Sequence, residues 1–210
     1  MPTPTPPTHL SRRFFLKGAG VSAAAAALAD STLAHAADLA PDEPKPIGPN
    51  PAPLTLNING QSHQLQAEPC TTLADALRMQ LDLTGTKVVC DRGACSACTV
   101  FLDGTPVCSC MTLAHDVGNR KITTIEGLAQ GDTLHPVQQS FIDHDALQCG
   151  FCTPGMIMSC TALLNRNPHP TEDDVRQATS GNLCRCGTYP KVFAATLDAA
   201  TKSPIAAKDT

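Results

Sequence analysis

Cys90-Asp91-Arg92-Gly93-Ala94-Cys95-Ser96-Ala97-Cys98 sets three thiols within nine residues and runs straight into Thr99-Val100-Phe101-Leu102, which ends at the hairpin signal Asp103-Gly104. The cysteine run therefore reads as a loop feeding a sheet. A C-x4-C-x2-C run completed by a distant fourth cysteine is the plant-type spacing of a [2Fe–2S] cluster. Gly93, Ala94, Ser96 and Ala97 are small and leave backbone N–H groups free to point at the sulfurs, where such bonds help set a reduction potential. A zinc site would ordinarily present two separate cysteine pairs. The fourth thiol lies past the turn, at Cys108 or Cys110; two residues apart on a strand, these face one side, and alternation does not choose between them.

Outward toward the N-terminus, Leu54-Thr55-Leu56-Asn57-Ile58 alternates apolar and polar, Asn59-Gly60 signals a two-residue hairpin, and Ser62-His63-Gln64-Leu65-Gln66 returns as the partner strand. Thr71 or Thr72 caps a helix through Leu73, Ala76, Leu77 and Leu81. A last strand over residues 121–125 closes this half. Hairpin, crossing helix, cysteine loop and further strands predict a ferredoxin-like β-grasp domain over residues 54–127. Beyond it the period changes, and helices are expected over 136–144, 154–165, 172–178 and 191–200. Pro136 and Pro154 suit first helical turns, and Thr171 with Asp174 reads as a capping-box variant. Four short helices over 134–203 predict a small bundle, after a boundary at 127–133. The expected fold class is α+β, a β-grasp domain followed by a four-helix domain.

That second half carries the other cysteine set, Cys149, Cys152, Cys184 and Cys186, spaced C-x2-C-x31-C-x-C. Each pair adjoins a predicted helix end, and four thiolates so placed suit zinc and an iron–sulfur cluster equally. A redox C-x-x-C dithiol is a third reading, but it needs no second pair. Cys70, Cys160 and the spare of Cys108 and Cys110 have no partner at ligand spacing and read as small apolar residues. The seven histidines show no H-x-x-x-H or H-x-x-H pair.

The first 36 residues read as a removable signal. Ser11-Arg12-Arg13-Phe14-Phe15-Leu16-Lys17 resembles a twin-arginine export signal, an alanine-rich stretch follows over 18–29, and Ala34-His35-Ala36 offers small residues for cleavage after Ala36. The apolar stretch is well short of the roughly 20 residues a membrane span needs. Residues 37–53, with six prolines between 41 and 53, read as an extended linker. The 210-residue chain carries 15 basic and 19 acidic residues, and loss of Arg12, Arg13, Lys17 and Asp30 with the signal makes it more acidic still. Such a surface has no footprint for nucleic acid or anionic lipid, which leaves a protein partner. The expected destination is the periplasm. Eleven cysteines in an oxidising compartment would suggest disulfides, but the number is odd and two of the spacings are short for bridges. Export in the folded state, which the twin-arginine resemblance implies, allows cofactors to be inserted beforehand.

Both cysteine patterns in this order, with Gln148-Cys149-Gly150-Phe151-Cys152-Thr153-Pro154-Gly155-Met156 and Gly181-Asn182-Leu183-Cys184-Arg185-Cys186-Gly187-Thr188-Tyr189, resemble the small iron–sulfur subunit of the xanthine oxidase family of molybdenum hydroxylases. With the signal included, the resemblance is greatest to the iron–sulfur subunit of a periplasmic aldehyde oxidoreductase. It implies one [2Fe–2S] cluster on Cys90, Cys95, Cys98 and Cys110, and a second on Cys149, Cys152, Cys184 and Cys186. It also implies a large catalytic subunit that holds molybdopterin, touched from this chain by Gln148 and Cys186. Electrons would pass from molybdopterin through the second cluster, then the first, to a FAD-binding subunit or a c-type cytochrome. No residue of this chain would act as acid, base or nucleophile. An N-heterocycle hydroxylase would use the same wiring, and a zinc-stabilised binding module is the reading from another class. Two departures stand out: Val89 and Ser96 occupy positions where the family often has glycine, and a non-glycine residue does not readily take positive φ.

Overall fold

The computed structural model describes residues 47–202. The expected signal, 1–36, and most of the expected linker lie outside the described residues. Strand β1 (Ala52–Ile58) pairs antiparallel with β2 (Gln61–Ala67), from Ala52 opposite Ala67 to Ile58 opposite Gln61. Regular structure thus starts two residues before Leu54, inside the stretch read as linker, because the hairpin register carries β1 back to Ala52. Asn59 and Gly60 both have positive φ, 51° and 81°, as a two-residue turn between twisted strands requires.

Thr72 caps the crossing helix α1 (Leu73–Asp75): its Oγ1 accepts from the Asp75 N–H at 3.1 Å. The chain then widens into a π-helix, Ala76–Gln80, where regular α-helical spacing was expected to continue. This element buries Leu73, Ala76 and Leu77 against Leu56, Ile58, Val100 and Ile122 of the sheet. Each such fully buried aliphatic side chain contributes about 1.5–3 kcal/mol relative to exposure.

Strands β3 (Thr99–Leu102), β4 (Thr105–Cys108) and β5 (Lys121–Thr123) complete a mixed sheet of order β2-β1-β5-β3-β4, parallel only between β1 and β5. β5 stops at Thr123, short of the expected Ile125, because the Asn59 side chain takes over the backbone there. Its Oδ1 accepts from the Thr124 N–H and its Nδ2 donates to Thr124 Oγ1, both at 3.0 Å. All four residues of β3 are buried, and their alternation divides them between two cores. Val100 and Leu102 join the sheet core, whereas Phe101 meets Met158 and Ala162 on the opposite face.

Those two residues belong to α3 (Thr153–Arg166), one of four helices that follow the sheet. The others are α2 (Pro136–Asp143), α4 (Glu172–Ala178) and α5 (Tyr189–Lys202). Thr171 and Asp174 cap α4 reciprocally, and His135 with Gln138 does the same for α2. Phe141, Met156, Leu164, Val192 and Ala195 form the helical core. Among the described residues no helix is long and apolar enough to cross a membrane.

Candidate metal centres

The first cysteine loop is wound tightly. Asp91, Gly93 and Ser96 all lie in the left-handed region, with φ of 51°, 69° and 52°, which curls the chain around the space between Cys90, Cys95 and Cys98. Cys95 and Cys98 are buried and Cys90 is half-exposed. The Ala94 N–H donates to Cys90 Sγ at 3.3 Å. The Arg92 N–H and then the Cys95 thiol lower the Cys90 thiol to about 7, so it is available as thiolate near neutrality. Ser96 takes the left-handed conformation expected to suit only glycine, while Val89 stays out of it. The strain at Ser96, about 1–2 kcal/mol, is offset by its carbonyl, which accepts from Thr99 Oγ1 at 2.7 Å and from Asn182 Nδ2 at 3.2 Å.

The fourth position differs from the expectation that Cys108 and Cys110 share a strand. β4 ends at Cys108, and residues Ser109–Met111 turn as a 3-10 helix. Both thiols nevertheless pack with Cys98 and Ala74 in one small cluster. Burial, and then the Cys98 thiol, push Cys110 up to about 12; burial also raises Cys108, against a weaker opposing contact from the Ser96 hydroxyl.

The second set is gathered from the starts of two helices. Cys152 is the N-cap of α3, where the helix dipole favours negative charge, and Cys184 lies just before α5. Cys149 is exposed, while Cys152 and Cys184 are partly buried. Burial and the Cys184 thiol raise Cys152 to about 12. Burial also pushes Cys184 up, but the Thr188 hydroxyl at 3.2 Å and backbone, the Cys152 thiol and the Cys186 N–H outweigh it and bring Cys184 to about 7. Cys152 and Cys184 therefore form a close pair, with Cys149 along the same cavity and the Cys186 N–H bonding toward the Cys184 sulfur. Gln148 is exposed, directly before Cys149.

Sequence reasoning assigned no role to several residues that join the two sets. The Leu183 N–H donates to the Cys95 carbonyl at 3.1 Å, one residue before Cys184. Gly155, in the first turn of α3, leaves no room for a side chain: a Cβ there would lie 2.2 Å from the Ser96 carbonyl oxygen. Tyr189 Oη accepts from the Cys184 N–H at 2.8 Å and donates to the Asn182 carbonyl at 3.0 Å, bracing the strip that touches the first loop. Gly155, Asn182, Leu183 and Tyr189 all fall within the family-like motifs. Contacts across 86 residues, as between Asn182 and Ser96, leave no periodic signal. Both sets border one cavity of about 500 Å³, lined by Cys90 and Cys95 on one side and Cys149, Cys152 and Cys184 on the other. Its rim exposes Val89, Phe151 and Leu183.

Four thiolates in each set supply the ligand chemistry of a [2Fe–2S] cluster. Within the sets, sulfurs lie close together: Cys90 with Cys95, Cys98 with both Cys108 and Cys110, and Cys152 with Cys184. A [2Fe–2S] cluster takes its protein ligands two to each iron.

Comparison with known proteins gives the same division. Residues 56–129 match the family described as 2Fe-2S iron-sulfur cluster binding domain, and residues 124–197 match the [2Fe-2S] binding domain family. The aldehyde oxidoreductase iron-sulfur-binding subunit PaoA of Escherichia coli K12 is 44% identical over 210 aligned residues, covering 91% of this chain and 88% of that one. The nicotine 6-hydroxylase small subunit of Paenarthrobacter nicotinovorans is 47% identical over 146 residues, covering 70% of this chain and 88% of that one. In the crystal structure of quinoline 2-oxidoreductase from Pseudomonas putida 86, a chain 44% identical superposes with a TM-score of 0.70, covering 72% of this chain and 95% of that one.

Proposed function

The chain belongs to the iron–sulfur subunits of the xanthine oxidase family of molybdenum hydroxylases, and on that footing we propose that it is the electron-transfer subunit of an exported aldehyde oxidoreductase. The observation that carries this reading is the pairing of two thiol sets across one cavity, joined by the bond from the Leu183 N–H to the Cys95 carbonyl. Cys90, Cys95, Cys98 and Cys110 hold one [2Fe–2S] cluster, in a β-grasp domain. Cys149, Cys152, Cys184 and Cys186 hold the other, in a four-helix domain. When bound, the clusters supply two one-electron stations in series between a molybdopterin in the large subunit and a flavin subunit or c-type cytochrome.

The chain's own residues supply position and environment. The loop curled at Asp91, Gly93 and Ser96 aims the Ala94 N–H at a ligand sulfur, and Thr188 does the same for Cys184. Gln148 and Cys186 face the molybdopterin. The exposure of Gln148, Cys149, Phe151 and Leu183 supports that orientation, since an apolar, unburied rim suits a subunit interface. Support for an aldehyde substrate lies in coverage, since the match to the aldehyde oxidoreductase subunit spans 91% of this chain against 70% for the nicotine hydroxylase subunit, and support for export lies in the twin-arginine-like segment Ser11–Lys17. The longer match takes in part of the chain outside the two cluster families.

Anaerobic mixing of the purified complex with an aromatic aldehyde tests the reading. Bleaching of the visible iron–sulfur absorbance by the aldehyde, and not by nicotinate, is the expected result; bleaching by nicotinate alone assigns the complex to N-heterocycles. Replacing Arg12 and Arg13 with lysine should strand the chain in the cytoplasm.

A further inference from the structure

The first site holds five thiols for four places. Cys108 and Cys110 flank Ser109, whose N–H and hydroxyl both donate to the Cys98 carbonyl, at 3.3 and 2.7 Å. Ser109 is fully buried, and these two hydrogen bonds to Cys98 pin the segment midway between the two cysteines. Both thiols, one from the end of β4 and one from the 3-10 turn, pack in the same cluster with Cys98. Cys108 also faces the cysteine loop directly: its sulfur lies 3.7 Å from Ser96 Oγ. Ser96 sits between the ligands Cys95 and Cys98, so Cys108 reaches the same enclosure as Cys110.

We propose that Cys108 is an alternative fourth ligand of the first cluster, able to replace Cys110 through a small rotation of the segment about Ser109. This rests on the assignment of a [2Fe–2S] cluster to Cys90, Cys95 and Cys98. In the exchange the Cys108 sulfur forms the iron bond that Cys110 vacates. The Cys108 thiol gives up its proton as it binds, the leaving Cys110 thiolate takes up a proton, and no electron is transferred. The exchange keeps the first cluster fully ligated when one of the two thiols is lost.

The test uses the full chain, unaltered and as Cys108→Ser, Cys110→Ser and the double variant, with iron and acid-labile sulfide counted and EPR recorded after dithionite reduction. The unaltered chain carrying no iron would remove the underlying cluster assignment, a result distinct from failure of the exchange. With about four irons in the unaltered chain, as two such clusters require, the exchange predicts about four in each single variant and about two in the double. The Cys110→Ser chain should keep two EPR signals, with changed g-values in one only. A Cys110→Ser chain holding about two irons, or one that fails to accumulate where Cys108→Ser accumulates normally, overturns the proposal, as does loss of two irons from Cys108→Ser alone.

Discussion

The two thiol sets solve one chemical problem with different amounts of chain. Three thiols of the first arrive on a nine-residue loop and are closed in by a sheet, leaving Cys95, Cys98 and Cys110 buried. The second is collected from the starts of α3 and α5, with 31 residues between Cys152 and Cys184, and Cys149 stays exposed. A local loop encodes its geometry in spacing and in left-handed residues. A set assembled across a helical core depends on packing, and here it also depends on the other loop, through Asn182, Leu183 and Gly155.

The largest effect separates the two sets. Cys95→Ser should remove about two irons and one EPR signal while leaving the second cluster, and Cys152→Ser should do the reverse, each cluster holding two irons. Loss of all iron from either variant would show that neither set folds without the other.

Gly155→Ala comes next and probes the seam. Its methyl group would press on backbone at Ser96 and Ala97, not on a movable side chain, so a destabilisation of about 1–3 kcal/mol is expected in thermal unfolding. Because the methyl lands on the first loop, the EPR signal of the Cys90 set should shift although Gly155 belongs to the helix of the second. An unchanged first signal would show that the loops are neighbours without mechanical coupling.

Tyr189→Phe should have the smallest effect. It removes a hydroxyl that bonds both the Cys184 N–H and the Asn182 carbonyl, at an expected cost of about 1–2 kcal/mol. The accompanying spectral change should be larger in the signal of the Cys184 set than in that of the Cys90 set, which Tyr189 reaches only through Asn182. A larger change in the Cys90 signal instead would place the bracing role of Tyr189 on the wrong side of the seam.

The same contrast explains what could be read in the chain beforehand. The Asn59-Gly60 and Asp103-Gly104 turns, the Thr171–Asp174 cap and the helical spacing after residue 134 are local signals, and the structure carries each within a residue or two. The π-helix at Ala76–Gln80 carries no such signal. Nor could alternation anticipate that β4 ends at Cys108, where the chain turns into a 3-10 helix over Ser109–Met111. Positive φ at Ser96 ran against local preference and is held by Thr99 and by Asn182, the latter from the other half of the chain. Gly155 and Leu183 were visible as residues within a motif, but their contact with the first loop exists only in the folded chain.

Iron and acid-labile sulfide analysis of the purified chain, followed by low-temperature EPR after dithionite reduction, tests the central claim most directly. Two occupied sites predict about four irons, about four sulfides and two distinguishable [2Fe–2S] signals. One zinc per chain, or no metal with the eight thiols free or in disulfides, would contradict it.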